Sequence, residues 1–231
     1  MKHYQTLLFD LDDTLLDFGK AENQALEKLF MELNIPLDEN MKETYKMFNT
    51  GLWIAHEEGK IGRDELVNTR FAIFFDHYGK KVDGVEYETK YRSYLDEGHQ
   101  LIDGAMELIQ ALHQKYDLYI VTNGVITTQE KRLKDSGLAQ YFRHVFVSEE
   151  VGYQKPRIEF FEYVFNHLGN VDLDKTLIIG DSLTSDIQGG ANAGIDSCWF
   201  NPHRKINNTG VQPTYEIKML EELQLMLNNK K

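Results

Sequence analysis

The 231-residue sequence contains one cysteine, Cys198, so no intramolecular disulfide can form, which fits a reducing compartment. Cys198 lies in the strand-like run I-D-S-C-W-F, where an inert core thiol is expected. No apolar run approaches the length of a membrane span, and the N-terminus shows no signal peptide but moves directly into a strand pattern. A soluble, cytoplasmic protein without a membrane partner is therefore expected. Cations are scarce. There are 25 Lys and Arg against 37 Asp and Glu, a formal net charge of −12 and a pI of about 5.1. Such a balance argues against non-specific nucleic-acid or anionic-membrane binding. It leaves room for a small anionic substrate wherever the site supplies local cations. Internal repeats and low-complexity tracts are missing, and the eight histidines form no ligand spacing. What remains is 42% hydrophobic, enough for one sizeable core and a second, smaller unit.

The most informative stretch is Lys2 to Leu16, K-H-Y-Q-T-L-L-F-D-L-D-D-T-L-L. Thr6 to Phe9 reads as a short strand buried on both faces. Asp10, Asp12 and Asp13 follow at once, and crowding ionised carboxylates at a strand end is costly unless a positive charge sits among them. A divalent cation supplies that charge, and hard oxygen donors suit Mg²⁺. Residues two apart in a strand point the same way, so Asp10 and Asp12 can converge where the chain leaves the sheet. In open α/β sheets that carboxyl edge is where ligands bind. The competing reading is that D-D-T simply caps a helix.

Downstream the pattern turns helical. Ala21, Ala25, Leu26, Leu29, Phe30 and Leu33 recur at helical spacing up to Pro36, and helical patterns continue from Asp38, over Arg63–Tyr78 and through Tyr87–Leu95. Residues 18–98 therefore read as an all-helical insert. From Asp103 onward short apolar strands alternate with helices: Leu118–Thr122, His144–Ser148, Thr176–Gly180 and Ile195–Phe200. Gly137 is placed to stop a helix over Thr127–Ser136, another helix is expected around Ser185–Ala193, and His203–Pro213 reads as a loose loop. A short strand and a closing helix are expected over Tyr215–Leu227. The fold class is α/β: a Rossmann-like, doubly wound parallel sheet built from residues 1–17 and 99–231, carrying the helical domain 18–98.

Three more polar sets follow predicted strands: Thr122-Asn123-Gly124, Lys155-Pro156 after a short loop, and Gly180-Asp181-Ser182 with Asp186. Each alone is a turn, a solvated cation or a helix cap. Together with Asp10 and Asp12 they place polar groups at the carboxyl edge of four parallel strands, where one ligand can meet them all. D-L-D-D-T, V-T-N-G, Q-K-P and G-D-S-L-T-S-D resemble, in order, the four motifs of the haloacid dehalogenase (HAD) superfamily, and the helical insert resembles its type 1 cap. The resemblance covers essentially the whole chain. Longer runs, T-L-L-F-D-L-D-D-T-L-L-D-F, E-E-G-K-I-G-R-D-E-L-V-N-T-R-F and E-G-H-Q-L-I-D-G-A, are similar to the bacterial pyrimidine 5′-nucleotidases of that superfamily.

The resemblance implies a Mg²⁺-dependent phosphatase of small phosphate monoesters, nucleoside 5′-monophosphates first. Asp10 is then the nucleophile that forms an aspartyl-phosphate, and Asp12 the general acid and base. Asp10 and Asp181 are metal ligands together with the Asp12 backbone carbonyl, while Asp186 holds metal-bound water or Lys155. Thr122, the Asn123 backbone N–H and Lys155 bind the phosphoryl oxygens. Thr14 braces the loop. The Asp two residues after the nucleophile separates phosphatases and phosphomutases from the superfamily's dehalogenases and P-type ATPases. In the helical domain, Phe18 and Trp53 are candidates for stacking on a base, with ordinary packing the rival reading. Two alternatives remain open on sequence: a sugar-phosphate phosphatase or phosphomutase, and a non-catalytic binding protein on the same fold.

Overall fold

The computed structural model describes residues 2–169 and 171–228. Its chain divides into two compact units, Met1–Asp17 with His99–Lys231, and Phe18–Gly98. In the first unit, strand β1 (Thr6–Phe9) is followed, after the excursion into the second unit, by β2 (Asp117–Thr122), β3 (His144–Val147), β4 (Thr176–Gly180), β5 (Asp196–Phe200) and β6 (Tyr215–Ile217). The second unit holds helices α1 (Phe18–Glu32), α2 (Glu39–Glu57), α3 (Arg63–His77) and α4 (Gly84–Leu95). The first unit adds α5 (Ala105–Leu112), α6 (Ile126–Asp135), α7 (Ser148–Val151), α8 (Ile158–Leu168), α9 (Gln188–Ala193) and α10 (Leu220–Asn228). The strands form one all-parallel sheet of order β3-β2-β1-β4-β5-β6.

Alternation along the central strands explains the doubly wound arrangement. Leu7 and Phe9, Leu118 and Ile120, and Leu177 and Ile179 face one cluster with α5 and α10; Leu8, Tyr119, Val121 and Ile178 face the other with α8. A period of two on strands buried on both faces yields two apolar surfaces, and helices cover each. The order reverses at β1, so β1 and its neighbours β2 and β4 carry their C-terminal ends to a topological switch point. The run after H-V-F-V-S, expected as a plain loop, contains the helical turn α7. The segment after β4 starts as a π-helix, Leu183–Ile187, before α9. Cys198 is fully buried in β5, and burial pushes its thiol up to about 12, so it is the inert core group expected.

The helical unit has its own core, built from Ala25, Leu29, Phe30, Tyr45, Phe71, Phe74 and Tyr91 among others. A buried polar chain runs through the same unit, with Arg70 against the core rings Phe71 and Tyr91. Arg70 donates to both oxygens of Glu88 at 2.7 and 2.8 Å and to Asn49 Oδ1 at 3.2 Å, and Asn49 donates to Glu22 at 2.8 Å. Among the described residues no helix is long and apolar enough to cross a membrane.

Candidate active site

Asp10 leaves β1 still on the ladder, its N–H donating to Ile179 O at 2.8 Å. The chain then turns sharply. Asp13 adopts the left-handed region with φ of 56°, which an Asp tolerates better than most residues, and its N–H returns to Leu16 O at 2.7 Å. Thr14 is buried and its hydroxyl has no hydrogen-bond partner among the described residues. The expected brace is therefore not a hydroxyl contact. Backbone bonds hold the loop instead, from Leu15 and Leu16 N–H to Leu11 O at 2.9 Å each.

Carboxylate oxygens of Asp10, Asp181 and Asp186 lie within 4.8 Å of one another. Lys155, 1% exposed, sits among them: its Nζ donates to Asp10 Oδ1 at 2.7 Å, Asp186 Oδ1 at 2.6 Å and Val121 O at 2.7 Å. All three ammonium protons are thus engaged, and a phosphoryl oxygen reaches Lys155 only by displacing one of these partners. Burial holds the Asp10 carboxyl well above the carboxylate range, against the pull of Lys155. Burial, then Asp186 and Asp13, raises Asp181 to about 7. Desolvation opposes the charge on Lys155, but Asp10 and Asp186 outweigh it and keep the ammonium protonated. One buried cation among three acids leaves the cluster short of positive charge. Oxygen donors and that deficit suit a hard divalent cation.

Local structure aims these groups. Gly180 is required because a Cβ there would lie 2.1 Å from Asp186 Oδ2. That oxygen accepts from Ser182 N–H at 3.1 Å, and the Asp181 carbonyl accepts from Trp199 Nε1 at 2.9 Å. Asn123 turns its side chain to the lysine backbone, donating to Lys155 O and accepting from Lys155 N–H, both at 2.9 Å. Asn123 thus ties the end of β2 to the loop that presents Lys155. Thr122 Oγ1 accepts from Gln129 Nε2 at 2.8 Å and from Gly124 N–H at 3.2 Å, which directs its own proton elsewhere.

Residues 4–194 match the haloacid dehalogenase-like hydrolase family. The chain belongs to that family. This hydrolase is 58% identical to the HAD-hydrolase YfnB of Bacillus subtilis over 99% of this chain and 97% of that one. The magnesium-bound orthorhombic crystal form of YfnB, in which interdomain movement is described, superposes with a TM-score of 0.94 over 98% of this chain and 100% of that chain. It is 46% identical to the pyrimidine 5′-nucleotidase PynA of Streptococcus pneumoniae, over 95% of this chain and 93% of that protein. With the pyrimidine 5′-nucleotidase YjjG of Escherichia coli it shares 31% identity over 96% of each chain.

The hydrolase carries two site residues that sequence reasoning passed over. Asp12 Oδ1 accepts from Arg132 Nη1 at 2.5 Å and Asp12 Oδ2 from Gln129 Nε2 at 2.7 Å, both donors lying on α6. Their signal was available, since Gln129 and Arg132 stand three apart beside Leu133, but T-T-Q-E-K-R reads as a solvent face. Phe18 and Trp53 lie in the helical unit. Phe18 packs against that unit's core, and Trp53, half-buried on α2, meets the His56 ring edge-to-face with centroids 5.8 Å apart.

Proposed function

We propose that this phosphoric monoester hydrolase acts on nucleoside 5′-monophosphates, pyrimidine ones first, through a covalent phosphoryl intermediate on Asp10. One observation carries the chemistry: the carboxylates of Asp10, Asp181 and Asp186 gather around the buried Lys155 at the switch point of the sheet. Similarity to PynA and YjjG supports the substrate class. Asp10 Oδ attacks phosphorus and the bond to the ester oxygen breaks, the Asp12 carboxyl giving that oxygen its proton. Asp12 then removes a proton from the water that attacks the phosphorus of the aspartyl-phosphate, which releases Asp10 and phosphate. Thr122, with its hydroxyl proton turned away from Gln129 and Gly124, donates to a phosphoryl oxygen, as does the Asn123 backbone N–H. Lys155, donating to Asp10 Oδ1 at 2.7 Å, opposes the burial that favours the protonated acid, and it reaches a phosphoryl oxygen by exchanging one of its present partners.

Asp10 and Asp181, with the Asp12 carbonyl, are the residues that would hold Mg²⁺, and Asp186 supports them through Lys155. When bound, the cation offsets the repulsion between the carboxylates and an anionic ester. In this reading the helical unit is the family's specificity domain, and Phe18 and Trp53 are its candidates for stacking on a base.

Phosphate release measured with Mg²⁺ across nucleoside monophosphates and sugar phosphates tests this reading, with Asp10→Asn as control. The expected outcome is a pyrimidine preference, with turnover reduced in the variant by at least about 10⁴-fold, since it loses the nucleophile. Wild-type rates in Asp10→Asn would sink the mechanism, and a preference for sugar phosphates would sink the substrate assignment.

A further inference from the structure

The loop after β1 and helix α6 meet in a contact that the phosphatase chemistry leaves unexplained. Arg132 is fully buried, yet its Nη1 donates at 2.5 Å to Asp12, whose side chain is 28% exposed. Gln129, 1% exposed, takes the other Asp12 oxygen through Nε2, the same nitrogen that donates to Thr122, and its Oε1 accepts from Arg132 Nη1 at 3.2 Å. The amide is thus oriented by three partners at once. The chain also makes space for it: a Cβ on Gly124 would lie 2.5 to 2.7 Å from the Gln129 side chain. Burying a guanidinium to meet a partly exposed carboxylate is a poor route to stability, because the desolvation cost rivals the attraction. It is an effective route to direction. Both oxygens of Asp12 are fixed from the α6 side, and a carboxylate so held has its remaining lone pairs on the open side.

Building on the acid–base role of Asp12, we propose that Gln129 and Arg132 are positioning residues. They aim the Asp12 carboxyl at the ester oxygen during phosphoryl transfer to Asp10, and Gln129 couples that aim to Thr122. In that step Asp10 forms a bond to phosphorus, the bond to the ester oxygen breaks, and the Asp12 proton passes to that oxygen. Electrons and protons balance without a co-reactant. The contribution depends on the leaving group. A nucleoside 5′-oxygen needs the proton as it departs, whereas p-nitrophenolate leaves as a stable anion without one.

The test compares kcat/KM for a nucleoside 5′-monophosphate and for p-nitrophenyl phosphate. This quantity excludes hydrolysis of the aspartyl-phosphate, which is common to both esters. Variants are Arg132→Ala, Arg132→Lys, Gln129→Leu and Asp12→Asn. Misaimed general acids lose part of a 10²–10⁴-fold effect, so Arg132→Ala and Gln129→Leu should lower the nucleotide-to-aryl ratio by about tenfold or more. Arg132→Lys should recover part of that ratio. If Arg132→Ala does not fold, Gln129→Leu decides the matter. Equal losses on both esters in the α6 variants, while Asp12→Asn retains the leaving-group dependence, would mean a merely structural contact and overturn the proposal alone. Equal losses on both esters in Asp12→Asn would overturn the acid assignment itself and the positioning role with it.

Discussion

At the residue scale the site is governed by where charge can be held away from water. Asp181 has little compensation of its own: Lys205 approaches only to 3.7 Å from the surface, while burial and two neighbouring acids raise its carboxyl to about 7. An unfolded Asp titrates near 3.9, so between about pH 4 and 7 the metal-free folded chain binds more protons than the unfolded one. Stability of the metal-free protein therefore falls as pH rises through that window. A divalent cation held by Asp181 would displace the same proton, so Mg²⁺ affinity should climb with pH through that window. Calorimetric titration in two buffers of different protonation enthalpy should show more proton release at about pH 6 than at about pH 8. Asp181→Asn should reduce the buffer dependence at the lower pH, leaving the share that comes from Asp10. A buffer-independent heat in the wild-type protein at the lower pH would contradict this account.

At the scale of elements, helix packing in the helical unit is set by a polar chain as much as by its aromatic core. Arg70, 2% exposed, links α3 to α4 through Glu88 and to α2 through Asn49, and lies 4.7 Å from the Tyr91 ring. Glu88 also pairs with Arg92 one turn on. Removing the guanidinium would leave Glu88 and Asn49 buried with too few donors. Arg70→Ala should therefore lower the unfolding free energy by about 3–5 kcal/mol, read from the urea midpoint. A loss well under 1 kcal/mol would show that water or Arg92 replaces it. Close helix approach has a separate requirement. Gly84 opens α4 where a Cβ would lie 2.3 Å from the Asn68 carbonyl.

At the scale of the whole molecule, two cores are threaded by one chain. No residue of the two sheet clusters comes from 18–98, and none of the helical cluster comes from outside it. The chain leaves and re-enters the first unit at adjacent points, since Asp17 N–H donates to Gln100 O at 2.8 Å. Joining Asp17 to His99 through a short glycine linker, with 18–98 removed, should therefore leave a folded α/β unit. Near-UV circular dichroism and Mg²⁺-dependent thermal stabilisation would report it, whereas an unfolded product would show that the sheet cores need the helical unit. Activity on nucleotides should fall in this variant far more than metal binding does.

Much of this organisation is local and therefore legible in sequence. Apolar alternation marks the strands, helical spacing marks the insert, and acids immediately after T-L-L-F place charge at a strand end; each is a property of neighbours a few residues apart. The parallel fold followed from those patterns, and the family from the resemblance of D-L-D-D-T, V-T-N-G, Q-K-P and G-D-S-L-T-S-D to its motifs. What neighbours cannot specify is which distant side chains meet. Lys155 alone reads as a solvated loop cation; it lies between Asp10 and Asp186, residues 145 and 31 positions away, because β2, whose Val121 carbonyl it meets, and β4, which leads to Asp186, both pair with β1. Gln129 and Arg132 read as a solvated helix face until the sheet order brings α6 against the β1 loop, 117 and 120 positions away. The chemistry of each group is written in its residue type. Its partner, and so its charge and aim, is decided by the register of strands far apart in sequence.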